Sequence, residues 1–211
     1  MKVRVLPAAK RPLVDWQAFR QVEFVLFNVG MLVGFLGLYS LFFFVQSYAI
    51  SKGIMDRDLA FYLLSMLNAT SALGRTIPSI LADMIGPLNC LIPAAAVSGI
   101  LILCLIPITS SGSLIALVLL FGFFSGTFVS LPPTVIVYMT KNRGLLGTRL
   151  GMCFATVGIG MLIGPPMQGA VIDKAGFAAV WIFGGVVTLG GVGLLTASRL
   201  FFKGLTLRAK C

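Results

Sequence analysis

One arginine inside an apolar run offers more chemistry than any other residue in this sequence. Arg75 stands eight positions before Asp83, in a stretch otherwise built from aliphatic, small and hydroxyl side chains. A guanidinium is always charged and holds a carboxylate through two parallel hydrogen bonds. Asn68 lies seven residues before it, Ser71 four before and Ser79 four after. At about 3.6 residues per turn these positions follow one side of a helix, giving a polar stripe with a single cation. The chemistry this implies is anion binding, with Arg75 meeting a carboxylate and Asn68 and Ser71 shaping the site. The competing reading is a structural arginine whose long stem lets the charge snorkel to an interface.

Other reaction chemistry is not supported. The chain has no His, which removes the commonest general base and the commonest metal ligand. Asp83 and Asp173 close apolar runs, Glu23 opens one, and Asp56 and Asp58 share a polar stretch. No proton relay and no paired-carboxylate site is visible, and no Ser or Cys has a base in reach. Cys90, Cys104 and Cys153 sit in apolar segments without Cys-x-x-Cys spacing and read as small hydrophobes. The terminal Arg208-Ala209-Lys210-Cys211 does not fit a prenylation box. The expectation is no enzyme, no catalytic residue, no metal and no cofactor. A channel is weakly supported, for want of an acidic ring or a filter-like loop.

The elements that must carry Arg75 are long and apolar. Of 211 residues 58% are hydrophobic and 10% charged, against about 25% charged in a soluble domain, and the mean hydropathy is +1.04. Six apolar blocks follow one another, at about 22–48, 59–85, 88–108, 113–139, 147–172 and 177–202. Each is long enough to cross a core of roughly 30 Å as a helix. Their continuity argues against the alternating ten-residue segments of a membrane barrel. The fold class expected is therefore all-α, a polytopic membrane protein with six transmembrane helices. Short connectors make neighbouring helices antiparallel. Residues 1–20 form a solvated basic flank, 21–203 the six-helix bundle and 204–211 a short basic tail.

Charge assigns sides to these helices. Lys2, Arg4, Lys10, Arg11 and Arg20 precede the first block, Lys141, Arg143 and Arg149 flank the fourth connector, and Arg199, Lys203, Arg208 and Lys210 close the chain. Six crossings put all twelve on one side, against Lys52, Arg57 and Lys174 on the other. The positive-inside rule then places both termini in the cytoplasm. The formal net charge of +10 is thus a topology signal rather than a nucleic-acid interface, and the expected partner is the lipid bilayer.

Two kinds of residue bear on motion and packing. Pro78 follows Arg75 within the second block, and Gly164-Pro165-Pro166-x-x-Gly169 interrupts the fifth. Both are candidate hinges or gates, or static kinks. Gly30 and Gly34, Gly122 and Gly126, Gly147 and Gly151, and Gly160 and Gly164 stand four apart, a spacing that lets helices approach closely. These faces either pack statically or slide.

Taken in order, these residues resemble a known pattern. Gly34-Phe-Leu-Gly-Leu-Tyr39, Gln46-Ser-Tyr-Ala49, Phe61-Tyr-Leu-Leu-Ser-Met-Leu-Asn-Ala69, Leu73-Gly-Arg-Thr-Ile-Pro78, Leu81-Ala-Asp-Met-Ile-Gly86, Arg149-Leu-Gly-Met152 and Gly164-Pro-Pro-Met-Gln-Gly169 are similar to the C-terminal six-helix half of a major facilitator superfamily transporter. The subtype is the monocarboxylate-transporter-like permease of fungi, and the resemblance covers roughly residues 22–202. It implies a twelve-helix fold in two halves with substrate between them, and it places Arg75 where that family meets the substrate carboxylate. Ser71 stands where animal members carry an aspartate linked to proton coupling. Asp83 with Gly86 resembles a degenerate form of the superfamily's cytoplasmic loop motif. The resemblance implies a plasma-membrane permease for a small organic anion such as a monocarboxylate. It leaves the first half to be supplied by a longer polypeptide, a second chain or a copy of this one. The alternative is a truncated, non-transporting membrane protein that associates with a full-length transporter.

Overall fold

A computed structural model describes residues 12–140 and 142–203. The basic residues at 2, 4, 10, 11, 141, 208 and 210, and the expected tail at 204–211, lie outside the described residues. Every element described is helical: α1 Val22–Ser51, α2 Arg57–Ile85, α3 Pro87–Leu103, α4 Ser111–Ser130, α5 Pro132–Met139 and α6 Leu146–Lys203. Three helical stretches, Val22–Ser51, Ser111–Met139 and Arg143–Phe202, are long and apolar enough to cross a membrane, and Pro87–Leu103 is a shorter apolar helix. α2 has the length but is not among them, because Ser65, Asn68, Thr70, Ser71, Arg75, Thr76 and Ser79 dilute its apolar residues.

α6 is two arms joined at one residue. Gly176 has φ 75° and ψ −178°, a conformation essentially restricted to glycine. Packing on α1 shows what the break does. A Cβ on Gly160 or Gly164 would meet the backbone of Leu32 or Leu36, and Gln168 donates to the Leu36 carbonyl. The first arm therefore runs with α1. Gly191 packs against Gly30 and Gly34, and Gly184 against Gly37 and Ser40, so the second arm runs against it. The chain doubles back at Gly176, and α1 lies in the cleft between the arms.

The remaining directions follow the same way. Phe35 packs tilted on Phe128 and Phe42 edge-on against Phe121, so α4 runs against α1. Thr127 reaches Gly74, and Gly126 and Gly122 press on Ser71 and Leu67, so α2 and α4 run parallel. Asn89 meets Arg199, and Gly99 meets Leu189, so α3 runs against the second arm. Phe24, Phe27, Met31, Leu38, Leu63, Leu67, Leu91, Phe121 and Phe128 fill the core between them.

Three expectations are corrected. The prolines at 165 and 166 do not interrupt α6, and only Gly176 departs from helical geometry there. Proline's own φ of about −65° suits a helix, and Gly164 is held tightly on the α1 backbone. The third apolar block ends as a helix at Leu103 and continues in turns through Ile108. The flank is not solvated throughout, since Asp15 and Ala18 are buried. A 3-10 turn at Ala18–Arg20 leads this docked segment into α1.

Candidate functional site

α2 presents three faces, and their order around the axis decides what Arg75 can reach. Leu63, Leu67, Ser71, Gly74, Pro78 and Ala82 are buried. Leu67, Ser71 and Gly74 of this face pack against α4. Leu73, Ile77, Ile80 and Met84 are exposed and apolar. Between these two faces lie Ser65, Asn68, Arg75 and Thr76, all exposed, with Ser79 half-buried. The helix thus has a packed face, an apolar outer face and a separate open polar face.

The buried face is fitted at backbone level. A Cβ on Gly74 would run into the Phe123 carbonyl, and one on Gly122 into Thr70 and the Leu67 carbonyl. Pro78 has no N–H to return to the Gly74 carbonyl four residues back. The Thr127 hydroxyl of α4 donates to that carbonyl at 2.8 Å. A proline that could have loosened α2 is therefore tied to the neighbouring helix.

Arg75 is exposed on the polar face, and no carboxylate pairs with it among the described residues. Its guanidinium lies within electrostatic reach of the Tyr39 phenol on α1. Tyr39 belongs to an aromatic wall, packed against Phe35, Phe42 and Phe43. Asn68, one further turn pair along, donates to its own helix at Leu64 and keeps its side-chain oxygen free of any intramolecular donor among the described residues. Arg75 and Asn68 thus share the open face of α2, with the Tyr39 phenol and its aromatic neighbours within electrostatic reach of the Arg75 charge. Ser71 is separated from that face. It is 2% exposed and packs against Gly126 in the seam with α4. Tyr39 was missed because it comes from another helix, and only its place among phenylalanines on α1 marked it.

The other sequence-predicted residues sit elsewhere. Asp83 is exposed near the end of α2, and Gly86, with φ 97°, caps α2 and leads straight into Pro87 of α3. Gly164, Pro165, Pro166 and Gly169 lie in the first arm of α6, where Gly164 packs on α1 and Gly169 meets open space.

A second polar cluster escaped the sequence reading. Arg149, one of the basic residues that flank the fourth connector, donates from Nε to Asp15 at 2.9 Å and from a terminal nitrogen to Gln21 at 2.9 Å. The Phe24 ring lies 5.4 Å below its guanidinium. The pair is 7% and 5% exposed. Asp15 also accepts from the Gln17 N–H, and Thr148 donates to the Pro12 carbonyl. The segment 12–21 is therefore strapped to the start of α6. No sequence signal links residues 134 positions apart. No group of three or more potential metal-ligating side chains occurs among the described residues.

No family model matches this sequence. Among curated proteins, the chain is 42% identical over 192 residues to the MFS-type transporter dbaD of Emericella nidulans, covering 90% of this chain and 43% of that one. It is 34% identical to the aspyridones efflux protein apdF of the same organism, covering 94% of this chain and 41% of the relative. It is also 34% identical to the agnestins efflux protein of Paecilomyces divaricatus, covering 94% and 46%. The chain spans somewhat less than half the length of these relatives. Together with the long apolar helices, this similarity to fungal MFS-type transporters marks an integral membrane protein that matches part of a transporter.

Proposed function

We propose that this chain is the six-pass C-terminal half of a major facilitator transporter that moves a small organic anion, such as a monocarboxylate, across the plasma membrane. The observation that carries the reading is Arg75, a fixed positive charge on the open polar face of α2 with no acid partner among the described residues. An unpaired arginine so far inside a span, roughly 12 Å from its end, is stable where a water-filled cavity or an anionic ligand meets it. Asn68 and Tyr39 flank it, one offering an amide and the other a phenol to a carboxylate. Ser71 contributes from behind by holding α2 on α4. In this reading both termini face the cytoplasm, as the basic residues suggest. Pro78, Gly164, Pro165, Pro166 and Gly169 stay within helix, so in this reading they bend with their packed helices during the cycle and do not break them. Two relatives are named for efflux, which favours export.

The test is transport by the native polypeptide that carries this sequence, with Arg75→Gln and Arg75→Lys. Arg75→Gln is expected to abolish export of a carboxylate substrate while leaving membrane insertion intact. Arg75→Lys is expected to retain part of it, since lysine keeps the charge and loses the two-pronged hydrogen bond. Export by Arg75→Gln at the unsubstituted rate would remove Arg75 from the mechanism.

A second reading is a non-transporting membrane protein that associates with a full-length transporter. Co-purification with such a transporter, without flux of its own, would select it.

A further inference from the structure

Arg199, near the end of the second arm of α6, is 8% exposed. Among the described residues no carboxylate pairs with it. Its Nε donates to the Asn89 side-chain oxygen at 2.6 Å. Asn89 is itself oriented, donating from its amide nitrogen to the Ile85 carbonyl at 2.6 Å. The guanidinium is therefore held by a neutral partner on one edge, and its terminal amino groups have no acceptor among the described residues. They border a cavity of about 410 Å³ lined by Ile85, Asn89, Ile92, Pro93, Thr196 and Arg199. A buried cation of this kind is costly unless a counter-charge completes it.

The surroundings say which counter-charge. Ile85 is exposed and apolar at the cavity, and Ile92 and Pro93 complete its apolar wall. The cavity lies at the end of the bundle that also carries the Asp15–Arg149 pair and the Gly86 turn, since Ser198 donates to the Glu23 carbonyl at the start of α1. It is thus at the level of a bilayer interface, between α3 and the second arm, and away from the open face of α2. A ligand with an anionic head and a hydrocarbon body fits it.

We propose that this cavity binds an anionic phospholipid, with Arg199 on the headgroup phosphate and the acyl chains along Ile85, Ile92 and Pro93. Arginine suits a phosphate because its planar fork engages two oxygens at once. A zwitterionic lipid offers the same phosphate beside its own cation and competes poorly.

The full chain in nanodiscs of phosphatidylcholine, with and without phosphatidylinositol, tests this. Phosphatidylinositol is expected to remain bound through detergent extraction and to raise the thermal midpoint. Arg199→Gln is expected to weaken its retention about tenfold, the loss of one charge-assisted contact. Thr196→Trp, which fills the cavity from its exposed wall and leaves Arg199 in place, guards against a folding defect and should lower retention as well. Arg75→Gln should leave it unchanged, which separates this site from the transport reading. Retention by Arg199→Gln and Thr196→Trp equal to that of the unsubstituted chain would overturn the proposal. So would equal stabilisation by free inorganic phosphate or glycerol phosphate, which would make the site one for soluble anions.

Discussion

Single side chains hold the two polar clusters together, and their energetics are separable. Thr127 supplies the hydrogen that Pro78 cannot, at 2.8 Å from the Gly74 carbonyl. Thr127→Val keeps the shape and orphans a buried carbonyl, which costs about 1–3 kcal/mol. A fall in thermal midpoint is expected for Thr127→Val and a much smaller one for Thr127→Ser; equal losses would mean that packing, not the hydrogen bond, matters there. The Asp15–Arg149 pair allows a sharper test. Removing one partner leaves an uncompensated buried charge, at about 3–5 kcal/mol, whereas replacing both with apolar residues is often close to neutral. Asp15→Leu alone should therefore loosen residues 12–21, measured as faster proteolysis of the flank, and Asp15→Leu with Arg149→Met should restore protection. Protection lost to the same degree in both would show that the strap needs the ion pair itself and that an apolar pair cannot replace it. Arg75 was legible in the sequence because a charge in an apolar run has no bland surroundings to hide in. Asp15 was not, because it sits in a polar flank and its meaning comes from a residue on another helix.

At the scale of helices, close approach and face selection govern the design. Of the four glycine pairs, three meet backbone or core side chains, and Gly147 with Gly151 meets open space. Spacing alone could not separate them, since a four-residue repeat marks a stripe but not what covers it. Gly126→Leu is expected to push α2 from α4 and lower stability by about 1–3 kcal/mol or more, read as a fall in thermal midpoint, while Gly147→Ala should be neutral. A neutral Gly126→Leu would contradict the seam. The faces of α2 make a second prediction. On a background lacking Cys90, Cys104, Cys153 and Cys211, Asn68→Cys should react readily with a membrane-impermeant thiol reagent and Ile77→Cys should not, if the polar face lines water and the apolar face meets lipid. Equal reactivity would deny α2 its two environments. Block boundaries were readable because helices that match a bilayer need long apolar runs. The location of the break in α6 was not: double proline is a stronger punctuation mark than one glycine, yet packing on α1 held the prolines in register and left Gly176 to turn the chain.

At the scale of the molecule, the helix directions describe a bundle with one open polar flank, and that flank is the reason to expect more protein. In the proposed function Arg75, Asn68 and Tyr39 supply one wall of a site, and a wall cannot enclose a carboxylate alone. Enclosure is what gives a charged contact its strength, because water weakens an ion pair by competing for both partners. Two outcomes follow for the polypeptide found in membranes. If an antibody against the bundle detects a chain about twice the 22.5 kDa of this sequence, the second wall is part of the same polypeptide, and Arg75→Gln is tested there directly. If it detects 22.5 kDa, the second wall must come from a separate chain. Co-expression with the complementary half of a relative such as the MFS-type transporter of Emericella nidulans should then protect Asn68→Cys from bulky thiol reagents and leave it open to small ones. Protection without transport would favour a modulatory partner. Protection with carboxylate export that fails in Arg75→Gln would make the open flank of α2 half of a transport site.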